Sequence, residues 1–161
     1  MKLRLAKENE LLLILNLYKE ARKEPFCVWD DEYPTIIDIK EDYKTNNLFV
    51  YVNDNEIIGA ISIVPINEMD DCSEWKITNK VCEIARIVID NKHHGKGLAR
   101  KMIESIFDVC KNRDYIAIHL SCQKYNLPDI KTYHKLGFNF VGEKFMYNNH
   151  YYLCEKNLSN R

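Results

Sequence analysis

The chain contains no Cys-x-x-Cys pair, although it has six cysteines: Cys27, Cys72, Cys82, Cys110, Cys122 and Cys154. That absence removes support for a zinc ribbon and for thioredoxin-like chemistry. Its histidines also lack metal-ligand spacing, so no metal is expected. There is no apolar run long enough to span a membrane, and the start, Met1-Lys2-Leu3-Arg4-Leu5, lacks the apolar stretch of a signal peptide. A cytoplasmic, reduced setting is the expectation, with no membrane partner. Charge of one sign is missing too. The net charge is −1, which excludes the broad basic field of a nucleic-acid binder. Internal repeats, low-complexity tracts and linkers are absent, so the expectation is one domain over residues 1–161.

Two nucleotide-binding signatures are missing as well. The P-loop string Gly-x-x-x-x-Gly-Lys-Ser/Thr does not occur. The dinucleotide fingerprint Gly-x-Gly-x-x-Gly fails because Arg100 stands at its third glycine. What is present is an apolar strand, Val81–Ile89, then the polar loop Asn91-Lys92-His93-His94-Gly95-Lys96-Gly97, then an amphipathic helix from Leu98. Glycine at a helix start bares the backbone N–H groups of the first turn, and such a cradle suits a phosphate or pyrophosphate. Lys96, Arg100 and Lys101 add local positive charge.

The remaining elements follow from periodicity and breakers. Lys2–Ala6 reads as a strand. Residues 8–23 carry Leu12, Ile14 or Leu15, Tyr18 and Ala21 at helical spacing, and Pro25 closes that helix. Pro34 starts a second helix to about Lys44. Leu48–Val52 and Glu56–Val64 read as strands around the turn Asn53-Asp54-Asn55. Pro65–Asn79 is a polar loop. In the helix after the glycines, Leu98, Met102, Ile106 and Cys110 form one inward row. Tyr115–Cys122 is a strand and Pro128–Leu136 a helix ended by Gly137. Phe138–Tyr147 and His150–Cys154 form a hairpin across Asn148-Asn149. The order β-α-α-β-β-β-α-β-α-β-β predicts an α/β fold, a mixed sheet with helices on both faces.

Two motifs carry a family resemblance. The loop reads His94-x-x-Gly97-x-Ala99, and a second string sets Asn126, Tyr133, Gly137 and Phe138 at fixed spacing. Together they resemble the GCN5-related N-acetyltransferases. That family has Gln or Arg where His94 stands, and often Ala where Ile130 stands. The resemblance implies a central mixed sheet with two splayed strands and a pantetheine arm between them. It implies acetyl-CoA as acetyl donor, bound by Ile87, Val88, Ile89, His94, Gly95, Lys96, Gly97, Leu98, Ala99 and Asn126. It implies that Tyr133 protonates the departing thiolate and that Glu83, fourteen residues before Gly97, is the general base. Backbone N–H groups near Val88 are the candidates to stabilise the developing oxyanion.

Glu83 is notable on residue grounds alone, since a carboxylate inside an apolar strand needs a partner or a cleft. Arg86 is close in sequence, but a spacing of three puts the two on opposite faces of a regular strand. A bulge near Ile87, common in the family, would change that. No cysteine has a His and acid partnership, so direct attack by an amine is favoured over an acyl-enzyme. The loop Cys27–Tyr33 sits where the family builds an acceptor wall. Trp29, Asp30 and Tyr33 there offer aromatic faces beside carboxylate for a cationic amine. The acceptor is an amine-bearing small molecule or a protein or peptide. Trp75 is a lid or a core plug. A non-catalytic acyl-CoA-binding module on the same fold is the alternative reading. The edge of the last hairpin offers a surface for a homodimer.

Overall fold

A computed structural model describes residues 1–65 and 71–159. Residues 66–70 of the expected Pro65–Asn79 loop lie outside the described residues. The strands are β1 (Lys2–Leu5), β2 (Leu48–Asn53), β3 (Glu56–Val64), β4 (Val81–Ile89), β5 (Ala117–Gln123), β6 (Asn139–Met146) and β7 (Asn149–Asn157). The helices are α1 (Leu11–Ala21), α2 (Ile36–Lys44), α3 (Leu98–Asn112) and α4 (Leu127–Lys135). Their order along the chain is the expected one. The sheet runs β1-β2-β3-β4-β5-β7-β6 and is mixed: β4 and β5 are parallel, whereas β1–β2, β2–β3, β5–β7 and β6–β7 are antiparallel. Among the described residues no helix is long and apolar enough to cross a membrane.

The chain forms two compact units, Met1–Ile63 with Ala85–Ile103 and Val64–Ile84 with Glu104–Arg161. In the first, the core gathers Leu11, Ile14, Leu17 and Tyr18 of α1, Ile39 of α2, Leu48 and Val50 of β2, Ala60 of β3 and Val88 of β4. The inward phase of α1 differs from the sequence reading, because Leu12 is exposed and Leu11 and Leu17 are buried. Five consecutive apolar residues, Leu11–Leu15, satisfy more than one helical phase, and only packing chooses between them. Thr35, rather than Pro34, starts α2. Its hydroxyl accepts from the Ile37 N–H and Asp38 reaches back to the Thr35 N–H. The β2–β3 turn is a two-residue turn at Asp54-Asn55, both left-handed, as a primed hairpin turn requires.

In the second unit, Trp75 and Leu153 centre a small apolar cluster with Cys72, Val141 and Met146. The β6–β7 turn falls at Tyr147-Asn148, one residue before the expected pair, and both residues have positive φ. The sheet edge there is β6.

The strand buried most continuously is β3, from Ile57 to Ile63, not β4. In β4 the residues Glu83, Ala85, Arg86 and Ile87 are only half-buried. Gly59 shows how tightly β3 meets the end of β4. A Cβ there would lie 2.8 Å from the Val88 carbonyl oxygen and 2.8 Å from Ile89 Cδ1. Backbone cannot move aside as a flexible side chain does. Gly59→Ala is therefore expected to destabilise the protein by about 1–3 kcal/mol, read as a lower urea midpoint; an unchanged midpoint would show that the strands separate freely.

Candidate active site

The loop after β4 is built by short-range caps. Asp90 accepts the Lys92 N–H at 3.0 Å and starts a single 3-10 turn, Asn91–His93. Its own N–H donates to the Ile58 carbonyl at 2.8 Å, and Asn91 Nδ2 donates to the Glu20 carbonyl at 3.1 Å. The turn brings His94 back onto β4. Its Nε2 lies 2.9 Å from the Ile89 carbonyl oxygen, and Nδ1 lies 3.7 Å from Glu24 Oε1. A carbonyl only accepts, so Nε2 carries the proton and donates. The ring of His94 therefore fastens the loop, where the family resemblance would have it reach for phosphate.

Gly95 and Gly97 follow with φ +79° and +71°. These are left-handed values that side chains resist. A Cβ on either glycine would meet nothing within 4 Å, so that face of the loop is open. Leu98 then begins α3, with Lys101 N–H to Gly97 carbonyl at 3.3 Å as an early helical bond. The first-turn N–H groups of a helix have no intrahelical acceptor. The loop therefore fits an anionic group as its sequence suggests, through backbone donors. In α3 the expected inward row holds, with Leu98, Met102, Ile106 and Cys110 all buried.

Within β4, Arg86 has φ +50°, an uncommon value for a residue with a side chain. The irregularity falls at Arg86, one residue before Ile87. Its guanidinium donates to both oxygens of Asp42, Nε to Oδ2 at 2.7 Å and Nη2 to Oδ1 at 2.8 Å. Nη1 donates to the Tyr33 hydroxyl at 2.8 Å, and Ser62 donates to Asp42 Oδ2 at 2.7 Å. Burial opposes the Arg86 charge, but the hydrogen bonds and charges of Asp42 and Tyr33 outweigh it and hold the guanidinium firmly protonated. Arg86 thus pairs with Asp42, a residue of α2 that the sequence reading did not single out.

The three acceptor-wall candidates have other partners in this arrangement. Trp29 packs edge-on against Tyr18, with ring centroids 5.3 Å apart. Asp30 Oδ1 accepts the N–H groups of Glu32 and Tyr33 at 2.8 and 3.2 Å, so its carboxylate builds the turn. The Tyr33 ring already faces a cation, with the Arg86 guanidinium carbon 5.9 Å from its centroid.

The second unit holds the other motif, and each of its residues has a local cause. Asn126 caps α4, its Oδ1 accepting the Asp129 N–H at 3.2 Å. Gly137 ends α4 at φ +82°, its N–H bonding the His134 carbonyl at 3.1 Å while Phe138 N–H bonds the Tyr133 carbonyl at 3.0 Å. This pair of bonds is a Schellman motif, and the ring contact of Phe138 with Tyr133, 5.6 Å between centroids, completes it. Tyr133 is buried. Burial, then the nearby Asp129, Cys122 and Cys154, pushes its phenol well above the ordinary range. It stays protonated near neutrality and has a proton to give. Burial also pushes the Cys154 thiol up to about 12, which suits a packing role and not a nucleophile.

Glu83 is half-buried on β4, and its ladder partner on β5 is His119. His119 is buried with Glu155, Nε2 to Oε2 3.0 Å, under the stacked indole of Trp75. Neither His119 nor Glu155 was singled out from sequence. A hydrophobic–polar pattern that places both on one sheet face would have been the signal. Trp75 is a core residue there, packed with Leu153. One further group joins Glu56 of β3 to Asp90 and His93 of the loop after β4. Glu56, Asp90 and His93 offer ligand atoms within 4.8 Å of one another, a spacing that a metal ion accepts.

Comparison with known proteins places this arrangement. Residues 14–138 match the Acetyltransferase (GNAT) family, and the chain belongs to it. Streptothricin acetyltransferase of Escherichia coli is 30% identical over 111 residues, which cover 69% of this chain and 56% of that protein. The chain spans between 41% and 60% of the length of the curated relatives it matches. Two solved structures share the fold. A GNAT-family acetyltransferase of Streptococcus agalactiae superposes with a TM-score of 0.83 at 22% identity, covering 97% of this chain and 94% of its own. An acetyltransferase of Salmonella typhimurium, solved with its cofactor acetyl-CoA, gives 0.78 at 17% identity, covering 100% of this chain and 95% of its own.

The Arg86–Asp42 pair is nearly dry, with side chains 11% and 9% exposed. Removing one member of such a pair leaves the other charge buried and uncompensated. Asp42→Ala is expected to cost about 3–5 kcal/mol, measured by urea denaturation; a loss below about 1 kcal/mol would show that water replaces the carboxylate.

Proposed function

We propose that this chain is a single-domain, acetyl-CoA-dependent N-acetyltransferase that acts by direct attack of a primary amine carried by a small molecule or a protein. The observation that carries the reading is the open glycine loop at the start of α3. Bound acetyl-CoA would supply an acetyl thioester. The backbone N–H groups from Gly95 to Ala99 hold its pyrophosphate, with Lys96 adding charge, and His94 keeps the loop in place. Main-chain groups of Ile87, Val88 and Ile89 hold the pantetheine amides. Asn126 keeps α4 capped and Tyr133 oriented.

The chemistry needs two proton movements of opposite sense. An amine with a pKa near 10.4 costs roughly 4.6 kcal/mol to keep neutral at pH 7. Glu83 accepts that proton on its carboxylate. Tyr133 Oη gives its proton to the departing thiolate, and burial keeps that proton in place until then. The loop of Trp29, Asp30 and Tyr33 borders the acceptor, and the partners already found there favour contact with its body over capture of its charge.

Thiol release from acetyl-CoA, driven by a library of primary amines, tests the activity directly; a folded protein that binds acetyl-CoA but transfers to none would be a binding module. With an active amine, Tyr133→Phe is expected to lower kcat by about 100-fold while the acetyl-CoA Kd stays within about twofold. Wild type is expected to show no alkaline loss from Tyr133 in the ordinary tyrosine range. A variant as fast as wild type would remove the tyrosine from the mechanism.

Gly97→Val is expected to weaken acetyl-CoA by about tenfold or more, read by calorimetry. The substitution fills an open face, so the protein keeps its neighbours, though the left-handed φ adds strain. Unchanged affinity in the folded variant would move the pyrophosphate elsewhere.

A further inference from the structure

Glu83, His119 and Glu155 stand in one row across three adjacent strands. Glu83 is the register partner of His119 in the parallel β4–β5 ladder, and His119 is that of Glu155 in the antiparallel β5–β7 ladder. Register partners project to the same sheet face, and neighbouring strands lie about 4.8 Å apart. The row therefore sets a carboxylate, an imidazole and a carboxylate side by side.

The outer end of the row is tightly built. His119 and Glu155 are 3% and 4% exposed. Glu155 Oε2 receives His119 Nε2 at 3.0 Å and the N–H groups of Lys76 and Ile77 at 3.1 and 3.0 Å. A carboxylate oxygen surrounded by donors only accepts, so Nε2 carries a proton. Nε2 is bonded to Glu155 on β7, and the residue in register with His119 on the other neighbouring strand, β4, is Glu83. Trp75 covers the ring face, with centroids 3.7 Å apart and planes 7° from parallel. Beside the ring is a cavity of about 170 Å³, lined by Pro65, Thr78, Val81 and His119. Val81 is two residues from Glu83 and so shares its face of β4. A water takes about 30 Å³ of liquid volume, so this space admits water or a small amine head.

We propose that Glu83, His119 and Glu155 act as one proton-sharing unit, in which His119 is a positioning residue that sets the protonation of Glu83. The unit rests on the reading of Glu83 as the base. The amine's N–H bond breaks with its electron pair left on nitrogen, and an O–H bond forms on Glu83. That O–H bond then breaks, its pair stays on the carboxylate, and an N–H bond forms at His119 Nδ1. The imidazolium is held by Glu155, and Glu83 is again a base. One proton has moved, and it leaves to water after turnover. Among the described residues, the charged groups in register with the imidazole are Glu155 from β7 and Glu83 from β4, and the neutral Trp75 from the loop covers its face.

The experiment is a pH titration of the full chain labelled with 15N-histidine, without acetyl-CoA or amine. The His119 resonances are identified by their loss in His119→Gln. Glu83→Gln is expected to lower the His119 midpoint by about one pH unit, because it removes the negative charge on the β4 side. Glu155→Gln is expected to lower it as well. Glu83→Asp keeps the charge at shorter reach, gives a smaller shift, and stands in if the amide variant does not fold. Identical His119 nitrogen shifts in wild type and the Glu83 variants at every pH would overturn the unit. The outcome is separate from the fate of the base. A Glu83→Gln protein that keeps full acetyl transfer removes Glu83 as base yet leaves the coupling intact.

Discussion

A guanidinium inside a sheet must be matched by a carboxylate, and in this protein that requirement organises the first unit. Arg86 takes a left-handed backbone angle in the middle of β4 and lays its guanidinium flat on Asp42 of α2. The same contact engages Ser62 of β3 and Tyr33 of the loop before α2. The loop before α2, α2 itself, β3 and β4 thus meet at one ion pair. A Lys at this position could not do the same, since an ammonium lacks the planar fork that meets both carboxylate oxygens and a phenol together. The positive φ costs of order 1–3 kcal/mol, and it persists only because the pair over-determines it. Its effect on β4 is a change of phase, which leaves Ala85, Arg86 and Ile87 half-buried where a regular central strand would be covered.

Element order was legible in the sequence because breakers and periodicity act locally. Asp54-Asn55 and Tyr147-Asn148 both adopt left-handed pairs. The first was placed by composition, while the second was displaced by one residue because Asn148-Asn149 is the more typical pair and Tyr147 is not a usual turn former. The motif Asn126, Tyr133, Gly137, Phe138 was legible for a physical reason. Three of its four members are the caps of α4, an N-cap, a left-handed stop and the apolar contact that follows it. Spacing in a capped helix is fixed by the helix, so such a motif survives in sequence even when its surroundings differ. What the caps hold in place is the fourth member, Tyr133.

Pairings made by tertiary structure were not legible. Nothing local links Asp42 to Arg86 across 44 positions, or His119 to Glu155 across 36. The hydrogen bond of His94 was not legible for a related reason. A polar residue beside a glycine loop reads as a ligand donor, but the single 3-10 turn before it returns its ring to the Ile89 carbonyl, where a hydrogen bond is waiting. Asp30 likewise accepts two N–H groups of its own turn, a pairing that its place in an aromatic and acidic loop does not announce. Side chains of Asp, Asn and His near turns satisfy backbone first, and only a structure shows which have done so.

The second unit separates two ionisable groups by environment, and this matters more than either identity alone. Tyr133 lies in an apolar setting beside two thiols and a carboxylate, all of which disfavour the phenolate. Its proton is therefore retained throughout the neutral range. Glu83 stays half-buried on a strand, and its register neighbour is an imidazole backed by a second carboxylate. A row of this kind can take a proton without placing a lone positive charge in the interior, because each imidazolium formed has a carboxylate on its far side. In the roles proposed for them, Tyr133 and Glu83 would differ in direction because one environment penalises charge and the other distributes it. A transfer that must strip a proton from an ammonium and return one to sulfur needs that contrast.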